Sequence, residues 1–173
     1  PKVAEVLQGK NALVLSAREE NYKAVGAAAG LAYNQKAGAE SAVDINLAKQ
    51  LNVVMTQLGV KAQDIVMNVG SAAVGYGFEY VVSTMDRIKG AALSQNDNML
   101  QMPIITTVAD ESWSVKEAMA SEEDMPEWGS LEERGISMEV QTAAAVLASG
   151  SDAVILKHPQ SVATISKMIK ELM

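Results

Sequence analysis

Asp64-Ile65-Val66-Met67-Asn68, followed by Val69-Gly70-Ser71-Ala72-Ala73-Val74-Gly75-Tyr76-Gly77 and the helical spacing of Phe78 to about Leu93, is the stretch that sets the fold class. A short apolar run closed by an amide reads as a strand buried on both faces. The glycine-bearing loop and long amphipathic segment after it complete a strand–loop–helix unit. Working outward, the same alternation recurs. Lys2 to Lys10 reads as a helix ending at Gly9, and Asn11 to Ser16 as a strand. Asn21 to Asn34 is Ala-rich with helical spacing, and Ala37 to Ser41 is a short strand interrupted by Gly38. Asp44 caps a helix whose apolar positions run from Ile45 to Leu58, and Gly59 ends it.

On the other side, Ser94 to Asn98 forms a polar hinge and Pro103 to Val108 a strand that begins where proline is tolerated. Ser112 to Ala120 is expected to be helical, Ser121 to Ser130 an acidic loop, Leu131 to Ser149 a helix stopped by Gly150, Ala153 to Lys157 a strand, and Ser161 to Met173 the last helix. This is an α/β chain of about five parallel βα units in one domain, 1–173. It fits either an open doubly wound sheet or a partial TIM barrel. A whole barrel needs about 250 residues, so 173 residues supply only part of one. The chain starts inside a helix, and a preceding segment is therefore expected.

Composition narrows the chemistry. There are 21 acidic against 14 basic residues, a formal charge of −7, which disfavours binding to phosphate backbones. No apolar run approaches the length of a membrane span and no signal segment opens the chain, so a cytoplasmic protein is expected. Cysteine is absent and histidine occurs once. This excludes a disulfide, a thiolate nucleophile, a cysteine-held zinc or Fe–S cluster and a multi-histidine metal site within the chain. Aromatics are 4% of residues, so Ala, Val, Leu, Ile and Met must build the core, with Met filling irregular gaps.

Parallel α/β folds bind ligands at the carboxyl ends of their strands. Here those ends carry Ser16, Arg18 and Asn21; Glu40 and Ser41; Asn68, Gly70 and Ser71; Thr107, Asp110 and Glu111; and Lys157-His158-Pro159. The Gly70–Gly77 loop is not a dinucleotide or phosphate fingerprint. It is either a tight turn before a capped helix or a backbone surface for a large polar ligand. His158 either fixes the turn before Pro159 or faces a ligand. Asp110 and Glu111 read as a helix cap and its solvated neighbour, or as paired carboxylates. Trp113 and Trp128 bracket the acidic loop.

The run Gly75-Tyr76-Gly77-Phe78-Glu79-Tyr80, with Ser83-Thr84-Met85-Asp86-Arg87-Ile88, Ala91-Ala92-Leu93 and Met99-Leu100-Gln101-Met102-Pro103, resembles one family. It is the small (delta) subunit of the corrinoid/iron–sulfur protein of the CO dehydrogenase/acetyl-CoA synthase (acetyl-CoA decarbonylase/synthase) system. Glu20-Asn21-Tyr22-Lys23, Asp44-Ile45-Asn46, Trp128-Gly129, Glu133-Arg134-Gly135-Ile136 and His158-Pro159 extend the likeness in order along the chain. The chain departs from the family pattern at Asn68-Val69, at Ala109, within Ser137-Met138-Glu139, and at Lys157 and Gln160 of Lys157-His158-Pro159-Gln160, with several of the changes at strand ends.

The resemblance implies a TIM barrel of which this chain is the C-terminal portion, roughly the fourth to the eighth strand. It implies a scaffold subunit of a corrinoid methyl carrier, paired with a large subunit that holds a 4Fe–4S cluster, with the corrinoid (cobalamin) between them. A pterin-dependent methyltransferase and acetyl-CoA synthase are the further partners of this one-carbon, Wood–Ljungdahl-type chemistry. Ser16, Arg18, Asn68, Gly70, Ser71, Gly75, Gly77, Thr107 and His158 are the expected corrinoid contacts, with no catalytic residue and no metal ligand. The alternative is a pterin-binding, dihydropteroate-synthase-like protein with Asn21, Asn68 and Asp110 on the ring. An isolated chain with open sheet edges is expected to dimerise or to cover them.

Overall fold

The computed structural model describes residues 1–173. After a short α1 (Lys2–Val6) come β1 (Leu13–Ala17), α2 (Tyr22–Val25), β2 (Lys36–Glu40), α3 (Ile45–Leu58), β3 (Ile65–Asn68) and α4 (Phe78–Ser94). The second half holds β4 (Ile105–Thr106), α5 (Val108–Ser112), α6 (Lys116–Met119), α7 (Leu131–Ala148), β5 (Ala153–Val154) and α8 (Pro159–Leu172). Every strand pair is parallel. β1, β2 and β3 pair in that order, β4 pairs with β5, and a single parallel bridge between Met67 and Ile104 joins the two groups. Strand order therefore follows chain order, as the βα alternation requires.

β2 is the middle of the larger group although its sequence is the weakest strand signal. Its residues Ala37, Gly38 and Ala39 are all buried. A Cβ on Gly38 would lie 2.7 Å from Leu15 Cδ2 and 3.1 Å from Leu15 Cα, so the glycine is what lets Leu15 of β1 lie across it. On the helix side, Ala17, Ala37, Ala39, Ile65, Met67, Val69 and Ile104 join Leu51 and Met55 of α3, Val81, Met85 and Ile88 of α4 and Val146 of α7 in a core of 21 buried residues. Met55, Met67 and Met85 are at most 1% exposed, as expected of flexible gap-fillers in a core poor in aromatics. Asp44 caps α3 through hydrogen bonds from the Asn46 and Leu47 N–H groups (2.8 and 3.1 Å), and Gly59 closes it at φ 106°.

Several expected elements differ. The helix expected over Asn21–Asn34 is a single α-turn followed by a π-helical stretch, Gly26–Ala32. The strand expected over Pro103–Val108 is two residues long because Val108, fully buried, already starts α5. The Ala109 N–H then donates to the Ile155 carbonyl (3.0 Å), and Ile155 N–H to the Thr106 carbonyl (2.9 Å). The Ile155 carbonyl thus satisfies the start of a helix rather than extending the ladder, which also shortens β5 from the expected Ala153–Lys157. The helix expected over Ser112–Ala120 breaks into α5 and α6 around Trp113, whose ring lies on Gly135 of α7. α8 starts at Pro159, two residues before the expected Ser161, with proline in the first turn. β1 and β5 each pair on one side only.

Two glycine substitutions separate crowding from backbone cost. Gly38→Val should destabilise the chain by about 1–3 kcal/mol through overpacking. Gly90→Ala, in α4 with nothing within 4 Å of a new Cβ, should stabilise it by roughly 0.5–1 kcal/mol. Urea unfolding midpoints at constant slope measure both; equal shifts of the same sign would contradict the packing described here.

Candidate functional site

The ends of β1, β2 and β3 are tied together side by side. Arg18 Nη2 and Nε reach Glu40 Oε1 at 2.7 and 3.0 Å. Asn21 folds the β1 loop back on itself: its Oδ1 accepts the Arg18 N–H (2.7 Å) and its Nδ2 donates to the Ser16 carbonyl (3.2 Å). Ser41 N–H donates to the Asn68 carbonyl (3.0 Å) and Val43 N–H to the Val69 carbonyl (2.7 Å). Buried Asn68 uses its Oδ1 to accept the Gly70 N–H at 3.1 Å, which closes the turn after β3 with Gly70 at φ 87°.

Backbone strain gathers at these same ends. Ser16, Ala42 and Val43 adopt φ of 67°, 46° and 64°. Such conformations cost about 1–3 kcal/mol each and concentrate at binding sites. Val43 is the least tolerant, being β-branched. Two hydroxyls there have no partner: Ser41 Oγ, on a residue 1% exposed, and Ser71 Oγ. Six other buried side-chain polar atoms elsewhere in the chain are likewise without a partner, Ser112 and Ser161 hydroxyls among them.

Glu40 is the charged centre of the cluster. Burial pushes its carboxyl pKa up, but the Ser16 hydroxyl and the Arg18 guanidinium together outweigh that and hold it below the ordinary 4.5. Glu40 and Ser41 were visible in the sequence as polar strand-end residues directly after a buried run, yet neither is among the expected contacts.

A second group forms around β5. His158 Nδ1 accepts the Gln160 N–H (3.1 Å), its Nε2 meets Glu132 Oε1 (3.0 Å), and its ring stacks on Trp113 at 6.0 Å between centroids. Lys157 Nζ lies 5.1 Å from the Trp113 ring centroid. Beneath them Glu139, 0% exposed, accepts the backbone N–H groups of Lys157 (2.5 Å) and His158 (3.1 Å). Glu139 escaped the sequence reading because an acid in a helix suggests solvent. The signal was its spacing, since it falls on the stripe of Gly135, Thr142, Ala143 and Val146, all buried. Thr107, half-buried, precedes α5 without a side-chain cap.

The glycine loop lies between the two groups in the sheet order. Gly75 and Gly77 take φ of 89° and 83°, and Gly77 starts α4 in the left-handed conformation that favours glycine. The loop is pinned at Val74, whose N–H donates to Thr142 Oγ1 (3.2 Å), and at Tyr76, whose hydroxyl donates to the Glu117 carboxylate. That bond holds the Glu117 carboxyl below its ordinary range. The largest concavity, about 850 Å³, is an open groove between α4 and α7 bordered by Val74, Gly75, Phe78, Glu79, Val82 and Asp86. Of the expected contacts only Gly75 lines it; none of the larger concavities includes Ser16, Arg18, Asn68, Gly70, Ser71, Gly77, Thr107 or His158.

Asn21, Asn68 and Asp110 do not form one hydrogen-bonded set. The two amides serve their own turns, and Asp110 is exposed on α5. No group of three or more His, Cys, Asp or Glu stands close enough to hold a metal ion, and no helix is long and apolar enough to cross a membrane.

Two measurements test this geometry. Glu139→Ala should cost about 1–3 kcal/mol, because two part-buried N–H groups lose their acceptor; an unchanged urea midpoint would contradict the clamp. Glu40, with its folded pKa depressed, adds stability that is present above the ordinary carboxyl value of 4.5 and is lost as pH falls through its folded value. Acid unfolding of Arg18→Ala should accordingly show a weaker fall in stability below that pH than the parent chain.

A family profile described as the CO dehydrogenase/acetyl-CoA synthase delta subunit matches residues 1–169. The acetyl-CoA decarbonylase/synthase complex subunit delta 1 of Methanosarcina thermophila is 33% identical over 177 residues, covering 99% of this chain and 40% of the relative. The delta subunits of Methanopyrus kandleri and Archaeoglobus fulgidus are 34% and 31% identical, covering 98% and 99% of this chain and 41% and 38% of their own lengths. The chain thus spans about two fifths of the length of the curated relatives it matches. On the likeness along its whole length, the chain belongs to the CO dehydrogenase/acetyl-CoA synthase delta subunit family.

Proposed function

We propose that this chain is a non-catalytic scaffold of a corrinoid methyl carrier in cytoplasmic acetyl-CoA synthesis or cleavage, contacting the corrinoid at an interface with a large Fe–S subunit. Its five sequential parallel strands are read as an arc of a TIM barrel, and the site as the carboxyl edge of that arc. The observation that carries the cofactor reading is the pair of unpartnered hydroxyls, Ser41 and Ser71, beside Asn68 and Gly70. A corrin ring is rimmed by amide side chains that both donate and accept, and a rim of hydroxyls, an amide and turn backbone suits them. Family membership supports the same reading.

When bound, a corrinoid supplies the cobalt that carries the methyl group. The chain's own residues hold and shield it. Ser16, Asn68, Ser71 and Thr107 offer hydroxyl and amide contacts, with Ser41 added by the structure. Gly70, Gly75 and Gly77 offer backbone, and Arg18 a cation restrained by Glu40. His158 has both ring nitrogens engaged within the chain, so its loop contributes backbone and ring face. A pterin-dependent methyltransferase and acetyl-CoA synthase are the partners this role requires. The free edges of β1 and β5 suit self-association of an isolated chain.

Spectroscopic titration of hydroxocobalamin tests the reading, with and without a large Fe–S subunit, beside a methyl-pterin control. Binding should be weak for the chain alone and tight with the partner, and the pterin should not bind. Ser41→Ala and Ser71→Ala together should weaken the partnered complex from a few-fold to about tenfold per lost hydrogen bond. Submicromolar corrinoid binding without a partner, or binding untouched by both substitutions, would overturn the assignment.

A further inference from the structure

The chain's one histidine caps a helix with its ring. Pro159, in the first turn of α8, has no N–H, so the Gln160 N–H is the first amide of the helix that needs an acceptor. His158 Nδ1 supplies it at 3.1 Å. That bond exists only while Nδ1 is unprotonated, so the single proton of the neutral ring sits on Nε2, where it faces Glu132 Oε1 at 3.0 Å. The two contacts fix one tautomer.

We propose that His158 is a pH-responsive positioning residue: neutral, it holds the start of α8, and a second proton taken from solvent onto Nδ1 releases that start. Protonated Nδ1 would be a donor facing a donor, and the cation would sit at the positive end of the helix dipole. The charged groups around the ring do not reverse this. Glu132 of α7, its carboxylate largely exposed, keeps its Nε2–H bond in both states. Glu139 of α7 is occupied by the backbone N–H groups of Lys157 and His158. Lys157, on the Trp113 ring that His158 also stacks against, adds like charge. Asp110 and Glu111 of α5 stand at exposed positions. Buried Ser161 and Ile165 and the partly buried Met168 keep α8 on the core in both states. Release of the cap therefore leaves the Gln160 N–H without its acceptor, while Glu139 still clamps the loop before the helix.

The test uses the 173-residue chain without any ligand. Long-range proton–nitrogen NMR of the imidazole at pH 8 should show the Nε2–H tautomer. Hydrogen-exchange protection of the Gln160 and Val162 amides, corrected for intrinsic rates, should fall about tenfold between pH 7.5 and 5, in line with the loss of one cap. His158→Asn restores a side-chain acceptor that does not titrate in this range, and should keep protection while abolishing its pH dependence. An Nδ1–H tautomer in the parent chain, pH-independent protection there, or the same pH dependence in His158→Asn would each overturn the proposal. The tautomer measurement needs no variant to fold.

Discussion

Ala37, Gly38 and Ala39 put almost no side-chain volume on either face of the middle strand, and the rest of the core is arranged around that thinness. A parallel strand buried on both faces is usually a run of large aliphatic residues. Here the volume is supplied by neighbours instead. Leu15 reaches across Gly38 from β1, and the helices α3 and α4 send Leu51, Met55 and Met85 into the core that Ala37 and Ala39 share. Parallel pairing brings the carboxyl ends of β1, β2 and β3 side by side. It is there that the chain accepts left-handed backbone at Ser16, Ala42 and Val43. The strain is tolerated because the flanking strands are held by ladder hydrogen bonds and the turn residues by bonds to Asn68 and Val69.

α7 does the corresponding work for the second half. Gly135 makes room for the Trp113 ring, since a Cβ there would come within 2.2 Å of it. Arg134 donates to the Glu117 and Ala120 carbonyls at 2.7 Å each, which ties down the chain after α6. Thr142 pins the glycine loop at Val74, and Glu139 clamps the backbone before α8. One helix thus touches three of the loops that rise from strand ends. Its polar buried residues serve loop geometry, and the Glu139 carboxylate can lie at 0% exposure because both of its oxygens accept backbone N–H groups.

Function and fold draw on different parts of this arrangement. Polar groups at the strand ends mostly satisfy one another, as in Arg18–Glu40 and Asn21 with its own loop, and the Ser41 and Ser71 hydroxyls are left over. The Ser16 hydroxyl and the Arg18 guanidinium both rest on the Glu40 carboxylate, so the charged groups of this edge are engaged within the chain.

Local patterning determined the α/β class, the parallel order of strands, the Asp44 cap, the Gly59 stop and the strand-end location of the polar residues, because each depends on periodicity or on a conformational preference expressed within a few residues. The likeness to the delta-subunit family was legible for a different reason, being spread in order along the whole chain. Only the tertiary structure decided the rest. Whether Ala37–Ala39 was a central strand depended on Leu15, twenty-odd residues earlier; whether Pro103–Val108 continued as strand depended on the Ile155 carbonyl waiting for Ala109. His158 became a cap, Glu139 a buried clamp, and Ser41 and Ser71 unpartnered hydroxyls through contacts with residues distant in sequence or through their lack. Hydrogen-bond satisfaction is a property of the folded neighbourhood, and no spacing rule along the chain records it.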